Sequence, residues 1–321
     1  MMESQSIDLN IPDTLAGRRL DQALAELLPD FSRARLQQWI KNGQVLVDGQ
    51  QWRPKDTVHG GEQVTVQAEF EVQTAWQPQP IPLDIVYEDE AILVINKPAG
   101  MVVHPAAGNP DGTLVNALLH YAPELEQVAR GGIIHRLDKD TSGLLVVART
   151  PVAQKYLVEH LQARAMHREY EAIATGVFTA GGTVDAPIAR HPRSRTRMAV
   201  VPGGKEAVTH YRVIERFRAH THIRCLLETG RTHQIRVHMA HIHHPLLGDP
   251  VYGGRLKLPP QADAAFAEAL RAFKRQALHA ARLELDHPLS GEHMSWQAAL
   301  PEDMLHLLRV LRADREAHDV E

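Results

Sequence analysis

The chain has a single cysteine, Cys225, among 321 residues, so it can form no internal disulfide and no cysteine-based zinc knuckle. Cys225 lies within Ile223-Arg224-Cys225-Leu226-Leu227 and reads as an ordinary strand residue, with nothing beside it to activate a thiol. No apolar run approaches the roughly 18 residues needed to cross a bilayer. The polar, mildly acidic stretch Met1 to Asn10 lacks the basic and apolar regions of a secretory signal. A cytoplasmic protein with no membrane partner is the expectation. Also missing are a GxGxxG or GxxxxGK[ST] phosphate loop and an HExxH zinc motif, the sequence signatures of dinucleotide, nucleoside-triphosphate and zinc-hydrolase chemistry. Positive charge is not in excess either. The net charge of -4 counts against nucleic-acid binding if read over the whole chain, because phosphate contacts need lysine and arginine.

What is present modifies that last exclusion. Acidic residues gather in Asp84 to Glu90, Glu124 to Glu126 and Asp314 to Glu321, whereas Arg190-His191-Pro192-Arg193-Ser194-Arg195-Thr196-Arg197 holds four arginines and no acid. That stretch reads as a loop, either phosphate-facing or simply solvated. The 44% hydrophobic and 23% charged content is that of a globular protein, and the length suggests two domains.

Leu20, Leu24, Leu27 and Leu28 have the spacing of an amphipathic helix within Gly17 to Leu28. Ser32 is placed to cap a second helix carrying Arg33, Arg35 and Lys41, with Asn42-Gly43 as its stop. Strands Val45 to Val47 and Val64 to Val66 flank a loop with Asp48-Gly49, Arg53 and Lys55. The prolines of Gln77-Pro78-Gln79-Pro80-Ile81-Pro82 favour an extended spacer. We therefore divide the chain into 1–75, a linker at 76–83, a main domain at 84–312 and an acidic tail at 313–321. In the main domain strands are expected at Ile92 to Asn96, Gly143 to Ala148, Tyr170 to Thr175, Val208 to Glu215, Ile223 to Glu228 and Arg282 to Leu285. Helices are expected at Thr113 to Tyr121, Val152 to Ala165, Thr232 to His241, Ala262 to Lys274 and Glu302 to Arg312. This is an α+β pattern on a mixed, mostly antiparallel sheet with flanking helices.

The densest chemical signal is Gly132-Ile133-Ile134-His135-Arg136-Leu137-Asp138-Lys139-Asp140-Thr141-Ser142-Gly143, a charged insert between apolar runs. An extended backbone there turns Arg136 and Asp138 to one face and His135 and Leu137 to the other. From the residues alone this is either a cleft that presents a carboxylate beside an arginine or a salt-bridged turn. Two further segments stand out: Arg168-Glu169-Tyr170, opening a strand, and Thr229-Gly230-Arg231-Thr232-His233-Gln234-Ile235-Arg236-Val237-His238, where Thr232 can cap a helix.

In that order the three segments resemble the signatures of the RluA/RluD family of RNA pseudouridine synthases, and the chain looks closest to the family's RluD branch. Asn96-Lys97-Pro98-Ala99-Gly100, Val103-His104-Pro105 and His244-Pro245-Leu246-Leu247-Gly248-Asp249 agree more weakly. Residues 16–75 resemble the S4 (alpha-L) RNA-binding domain. The resemblance implies an S4 domain before a pseudouridine synthase catalytic domain. It implies Asp138 as nucleophile, Tyr170 as the active-site tyrosine and Arg236 as the partner of Asp138. Arg136 is expected to fill the space of a flipped-out base, with His135 shaping its loop. Arg33, Arg35, Lys41, Arg190, Arg193, Arg195, Arg197, Arg231 and His233 are the expected RNA contacts. The reaction that the resemblance implies gains and loses no atoms, so no cofactor and no metal are expected. Arg168 stands where many relatives carry lysine.

The implied partner is large-subunit (23S) ribosomal RNA or an assembling large subunit, bound by a monomer. The stem-loop at the intersubunit bridge is the expected site, and other sites of the same RNA are the alternative within the family. Two other classes compete. His233, His238, His241, His243 and His244 invite a metal-hydrolase reading, against surface or RNA-facing histidines on and after a helix. A non-catalytic RNA-binding assembly factor with the same fold is the second, and intact Asp138, Tyr170 and Arg236 argue against it.

Overall fold

The computed structural model describes residues 3–28, 33–70, 76–106 and 108–318, and the side chains of 3–5, 34, 35, 68–70 and 195 are not among those described. Two compact units, Met1–Ala75 and Trp76–Glu321, have separate interiors.

In the N-terminal unit, helices α1 (Leu20–Leu27) and α2 (Arg33–Lys41) pack on a four-stranded sheet of β1 (Glu3–Asn10), β2 (Val45–Val47), β3 (Gln50–Gln51) and β4 (Gln63–Phe70), in the order β1-β4-β2-β3. The helical spacing predicted from the leucines is realised: Leu20, Ala23 and Leu24 of α1 meet Leu36, Trp39 and Ile40 of α2 in one buried cluster with Val45, Val47, Val64 and Val66. Gly43, just past α2, takes a left-handed φ of 79°, the conformation that glycine tolerates at a helix end. The proposed Ser32 cap lies outside the described residues. Strand β1 went unforeseen, because its partner is distant in sequence: Ile7 pairs with Val66 and Leu9 with Val64.

The C-terminal unit is built on a nine-stranded sheet. Its strands are β5 (Ile85–Glu88), β6 (Ile92–Lys97), β7 (Ser142–Ala148), β8 (His167–Thr175), β9 (Gly182–Asp185), β12 (Val208–Arg216), β13 (His220–Leu227), β14 (Leu278–Asp286) and β15 (His293–Gln297). The order is β5-β6-β7-β14-β8-β13-β12-β9, with β15 alongside β14. Every pairing described is antiparallel except β14 with β7, so the sheet is mixed and mostly antiparallel as expected. A separate hairpin joins β10 (Ile188–His191) to β11 (Ser194–Val200).

Both faces of the central strands are covered, which is why β6 and β7 read as unbroken apolar runs. Leu93, Ile95, Leu145 and Val147 face α3 (Leu114–Tyr121) and α5 (Gln234–His241), while Ile92, Val94, Leu144 and Val146 face α4 (Pro151–Gln162). Helices α6 (Ala264–Ala272) and α7 (Glu302–His318) pack over Ile173, Phe217 and Leu247.

Three sequence expectations need correction here. Arg190 to Arg197 is the turn and arms of a hairpin and not a loop, because Ala189 pairs with Ala199 and Arg190 with Met198 across it. Residues 76–83, expected as an extended spacer, are free of helix and strand but belong to the second unit and do not stand apart from it as a linker. Asn116 Nδ2 donates to Gln77 O at 2.8 Å, Gln79 N donates to Asn116 O at 2.9 Å, and Trp76 and Leu83 pack on the core of the same unit. The last helix does not stop at Arg312 but runs to His318, since Asp314 pairs with Arg218 and Arg315 with Glu215. Residues 319–321 of the expected tail lie outside the described residues.

Candidate active site

The loop before β7 carries Asp138 and is tied down from several sides. Lys97, wholly buried, donates from Nζ to Pro98 O, Met101 O and Lys139 O at 2.8, 2.9 and 3.1 Å. Gly100 N donates to Lys139 O at 2.9 Å, and Thr141 N closes a turn onto Asp138 O at 3.0 Å. Gln276 Nε2 reaches Thr141 Oγ1 at 3.0 Å, and His279 Nδ1 lies 2.9 Å from Ser142 Oγ. Gly143 completes the anchorage: it has φ of 113°, and a Cβ there would lie 2.3 Å from Ala280 O. Only glycine allows β7 and β14 to approach so closely at that backbone angle. Burial lowers the Lys97 ammonium to about 8, with Asp140 and Asp138 opposing the shift.

Asp138 opens into a cleft of about 530 Å³ whose walls include Arg136, Arg168, Tyr170, Arg231, His233 and Arg236. The strict two-face alternation expected in this segment is not realised: the chain bends at His135, and although Arg136 is exposed, Asp138 partly so and Leu137 buried, all four residues from His135 to Asp138 line the cleft. The His135 ring is buried, its Nδ1 without a hydrogen-bond partner and its Nε2 3.4 Å from Val146 N. Burial, helped by the Arg168 charge, pushes this imidazole down to about 3, so it is neutral at physiological pH.

Arg236 Nη1 donates to Asp138 Oδ2 at 2.9 Å. Its other nitrogens are committed to Asp249: Nε to Oδ2 at 2.7 Å and Nη2 to Oδ1 at 3.0 Å. Asp249 also accepts from Val251 N and Tyr252 N at 2.8 and 3.0 Å. Burial alone would raise the Asp249 carboxyl, yet the Arg236 hydrogen bonds and charge outweigh it and hold it below the usual range. Burial disfavours the Arg236 charge, and Asp249 and Asp138 reverse that, holding it more firmly protonated than usual. The result is a pre-aimed fork, geometrically fixed as bidentate arginine pairs are. Asp249 was visible only as part of a weak sequence match; its function as the anchor for Arg236 comes from folding.

The loop into α5 also departs from expectation. Thr232 does not cap the helix; His233 occupies that position in the left-handed region, φ 58° and ψ 23°, with no side-chain cap. The Gln234 carboxamide organises the loop instead. Its Oε1 accepts from Thr229 Oγ1 at 2.8 Å and Arg231 N at 2.9 Å, and its Nε2 donates to Val208 O at 2.9 Å and Thr209 Oγ1 at 3.0 Å.

Tyr170 and Arg168 project from the same face of β8, two residues apart, and both are buried. Burial raises the Tyr170 phenol above its ordinary value, with Arg168 opposing and Asp138 adding to the shift. Arg168 Nε has no hydrogen-bond partner. A Cβ on Gly230 would come within 2.7 Å of Arg168 Nη1, so the glycine leaves that guanidinium its place.

The histidine cluster disperses. His238 Nδ1 lies 2.9 Å from Thr209 Oγ1 and Nε2 2.9 Å from Ala186 O; His244 Nδ1 lies 2.9 Å from Thr175 O and its ring stacks on Phe178. Among the described residues no three His, Cys, Asp or Glu side chains are grouped to hold a metal ion.

The expected RNA contacts fare unevenly. Arg231 lines the cleft and donates from Nε to Glu206 O at 2.9 Å. Arg190 and Arg193 are exposed on the hairpin, and the Arg195 side chain is outside the described set. Arg197 is exposed, yet its Nη2 donates to Val251 O and its guanidinium lies 5.4 Å from the Tyr252 ring centre. In the N-terminal unit Lys41 is exposed and the Arg35 side chain is outside the described set. Arg33 donates to the wholly buried Asp21 carboxylate, Nη2 to Oδ2 at 2.8 Å. Arg19 and Gln37 reach the same group. Burial would raise the Asp21 carboxyl, but hydrogen bonds from Gln37, Arg33 and Arg19 keep it below its usual value.

Comparison with known proteins agrees with this geometry. Residues 91–241 match the family described as RNA pseudouridylate synthase, and residues 18–64 match the S4 domain. The chain is 60% identical over 319 residues to Ribosomal large subunit pseudouridine synthase D of Escherichia coli strain K12, covering 99% of this chain and 98% of that protein. It is 61% identical over 307 residues to the protein of the same name from Pseudomonas aeruginosa, covering 96% of each. Among solved structures, Human RNA Pseudouridylate Synthase Domain Containing 4 superposes with a TM-score of 0.56 at 27% identity, over 71% of this chain and 93% of that one. With a carboxylate fixed in a basic cleft, a tyrosine beside it and near full-length identity of this order, the chain belongs to the RluA/RluD family of RNA pseudouridine synthases.

Proposed function

We propose that this chain isomerises uridine to pseudouridine in large-subunit (23S) ribosomal RNA, and that the stem-loop at the intersubunit bridge holds its sites. The observation that carries the chemistry is the Asp138 carboxylate, oriented in the cleft by Arg236, itself held at two points by Asp249. In the reaction the C1′–N1 bond breaks, the uracil turns, a C1′–C5 bond forms, the C5 proton leaves and N1 gains one. Asp138 attacks C1′ or removes the C2′ proton to give a glycal, and either route needs an ionised carboxylate that cannot swing away. Arg236 supplies that constraint.

Tyr170 stacks on the uracil. Its phenol, raised by burial, is neutral at physiological pH, which favours stacking and proton transfer through water over direct attack on C5–H by a phenolate. A stacked uridine must be extruded at a cost of a few kcal/mol. Arg136, exposed at the cleft mouth, offers a planar guanidinium to the vacated space, and the buried His135 ring supports its loop. Arg33, Arg35, Lys41, Arg190, Arg193, Arg195, Arg197 and Arg231 are the proposed phosphate contacts. The pairing of Arg33 with Asp21 and of Arg197 with Val251 O limits what those two can give to RNA. The protein acts as a cytoplasmic monomer that needs neither metal nor cofactor.

Pseudouridine mapping of large-subunit RNA incubated with the protein, beside Asp138→Asn, tests the reading. New pseudouridines in the bridge stem-loop with the parent and none with the variant are expected. Modification confined to other positions of the same RNA would overturn the site choice, and an active Asp138→Asn would overturn the role of the carboxylate.

A further inference from the structure

His233 is an unlikely-looking helix cap: a non-glycine residue in the left-handed region, a conformation that persists where surrounding contacts hold it. What holds its ring is Tyr252. The Tyr252 Oη lies 2.9 Å from His233 Nδ1, and Met198 N donates to the same oxygen at 2.9 Å. The other ring nitrogen, Nε2, faces Asp138 Oδ1 at 3.8 Å. That oxygen is the one Arg236 leaves alone, since its guanidinium binds Oδ2.

Donor counting assigns the protons. A phenol has one O–H to give and two lone pairs to receive. The Met198 N–H can only donate, so it takes one lone pair. If His233 also donated from Nδ1, the Tyr252 hydroxyl proton would have no acceptor among the described residues. If Tyr252 donates to Nδ1, every group is used, and the neutral imidazole carries its proton on Nε2. Burial disfavours the charged ring, Asp138 and Asp249 oppose that effect and Arg236 and Arg136 add to it, and the net direction is downward, in keeping with a neutral imidazole. The alternative tautomer would set a nitrogen lone pair against the Asp138 carboxylate.

We propose that Tyr252 fixes His233 as the Nε2–H tautomer and that His233, so fixed, is a positioning residue for Asp138, engaging Oδ1 while Arg236 holds Oδ2. The inference rests on the reading of Asp138 as the reacting group. At 3.8 Å the contact is longer than a hydrogen bond, and it closes when uridine enters, as catalytic hydrogen bonds that are long in the free enzyme do. With Nδ1 held by Tyr252 and Nε2 given to Asp138, His233 has no ring nitrogen left for a phosphate and so leaves the expected RNA contacts. Because Met198 lies on β11, the hairpin that carries the exposed arginines also supplies the donor that fills the Tyr252 lone pair.

The test combines long-range ¹H–¹⁵N spectra of the histidine rings in the full chain with steady-state kinetics on a ribosomal RNA fragment. The parent is expected to show His233 protonated at Nε2 alone, and Tyr252→Phe to show mixed tautomers. His233→Ala is expected to lower kcat by about ten- to a hundredfold, the scale of losing a hydrogen bond to a charged group, with KM and the thermal midpoint little changed. His233→Gln, which keeps a donor near the Nε2 position, should recover part of the loss. A proton on Nδ1 in the parent, an unchanged tautomer in Tyr252→Phe, or a His233→Ala effect confined to KM would each overturn the proposal. If Asp138→Asn is inactive and His233→Ala is not slowed, only the positioning role falls. If Asp138→Asn turns over normally, the reading of the carboxylate falls and the positioning role goes with it.

Discussion

Asp249 and Arg236 form a two-point pair, Oδ2 to Nε at 2.7 Å and Oδ1 to Nη2 at 3.0 Å, that leaves Nη1 as the end of the guanidinium that reaches Asp138. The Asp249 side chain is fully buried and that of Arg236 is 5% exposed. Asp138 therefore meets a cation that cannot swing away from it.

Asp249→Ala should leave the buried Arg236 guanidinium with Asp138 as its remaining carboxylate partner and cost about 3 kcal/mol of stability, the low end for a broken buried pair. Turnover should fall as well, because Arg236 is then free to rotate. Urea titration measures the first effect and single-turnover assay at a temperature where the variant is folded measures the second. A variant as stable and as fast as the parent would show that Asp249 does not anchor the site.

Lys97 gives a pH signature. Its folded value of about 8 lies below its ordinary 10.5, so between those values the unfolded chain binds more protons than the folded one, and stability rises with pH across that window. The cost of burying the charge applies in full below about pH 8 and is relieved towards pH 10.5, by roughly 3 kcal/mol. The parent minus Lys97→Met difference in unfolding free energy, followed from pH 7.5 to 10, should change in the parent's favour. A flat difference would contradict the assignment.

Cys225 is wholly buried, and burial pushes its thiol up to about 12. Native protein at pH 8 should resist a thiol-specific reagent and react only as it unfolds, so the labelling rate should follow denaturant in step with loss of fold. Rapid labelling of native protein would be incompatible with this placement.

The end of α7 is structural. A chain stopped after Arg312 loses the Asp314 pair with Arg218 and the Arg315 pair with Glu215, of which Asp314 is 6% exposed. A loss of about 2 kcal/mol is expected, between the values for exposed and for buried pairs. Asp314→Ala should reproduce much of it in thermal denaturation. An unchanged midpoint in both would mean that residues after Arg312 add nothing to the fold.

Much of the architecture was legible along the chain because its causes are local. The apolar spacing of Leu20 and Leu24 and the unbroken runs of β6 and β7 each carry their conformation in a few adjacent residues. Strand β1 and the 190–197 hairpin were missed, since their pairing depends on partners that supply no local periodicity. The prolines at 78–82 read as a spacer because nothing nearby discloses that Asn116 hydrogen-bonds this segment.

The same division runs through the active site. Sequence by itself determined the reacting types and their order: a carboxylate at 138, a tyrosine at 170 and an arginine at 236, in segments whose resemblance points to one family. Only the tertiary structure decided which atoms meet. Asp249 became the anchor of Arg236, His233 turned towards Asp138 under Tyr252, and Arg33 and Arg197 turned to partners within the protein. Hydrogen-bond geometry acts over about 3 Å, and those distances are set by the meeting of β7, β13 and α5 in space, where separation along the chain has no bearing.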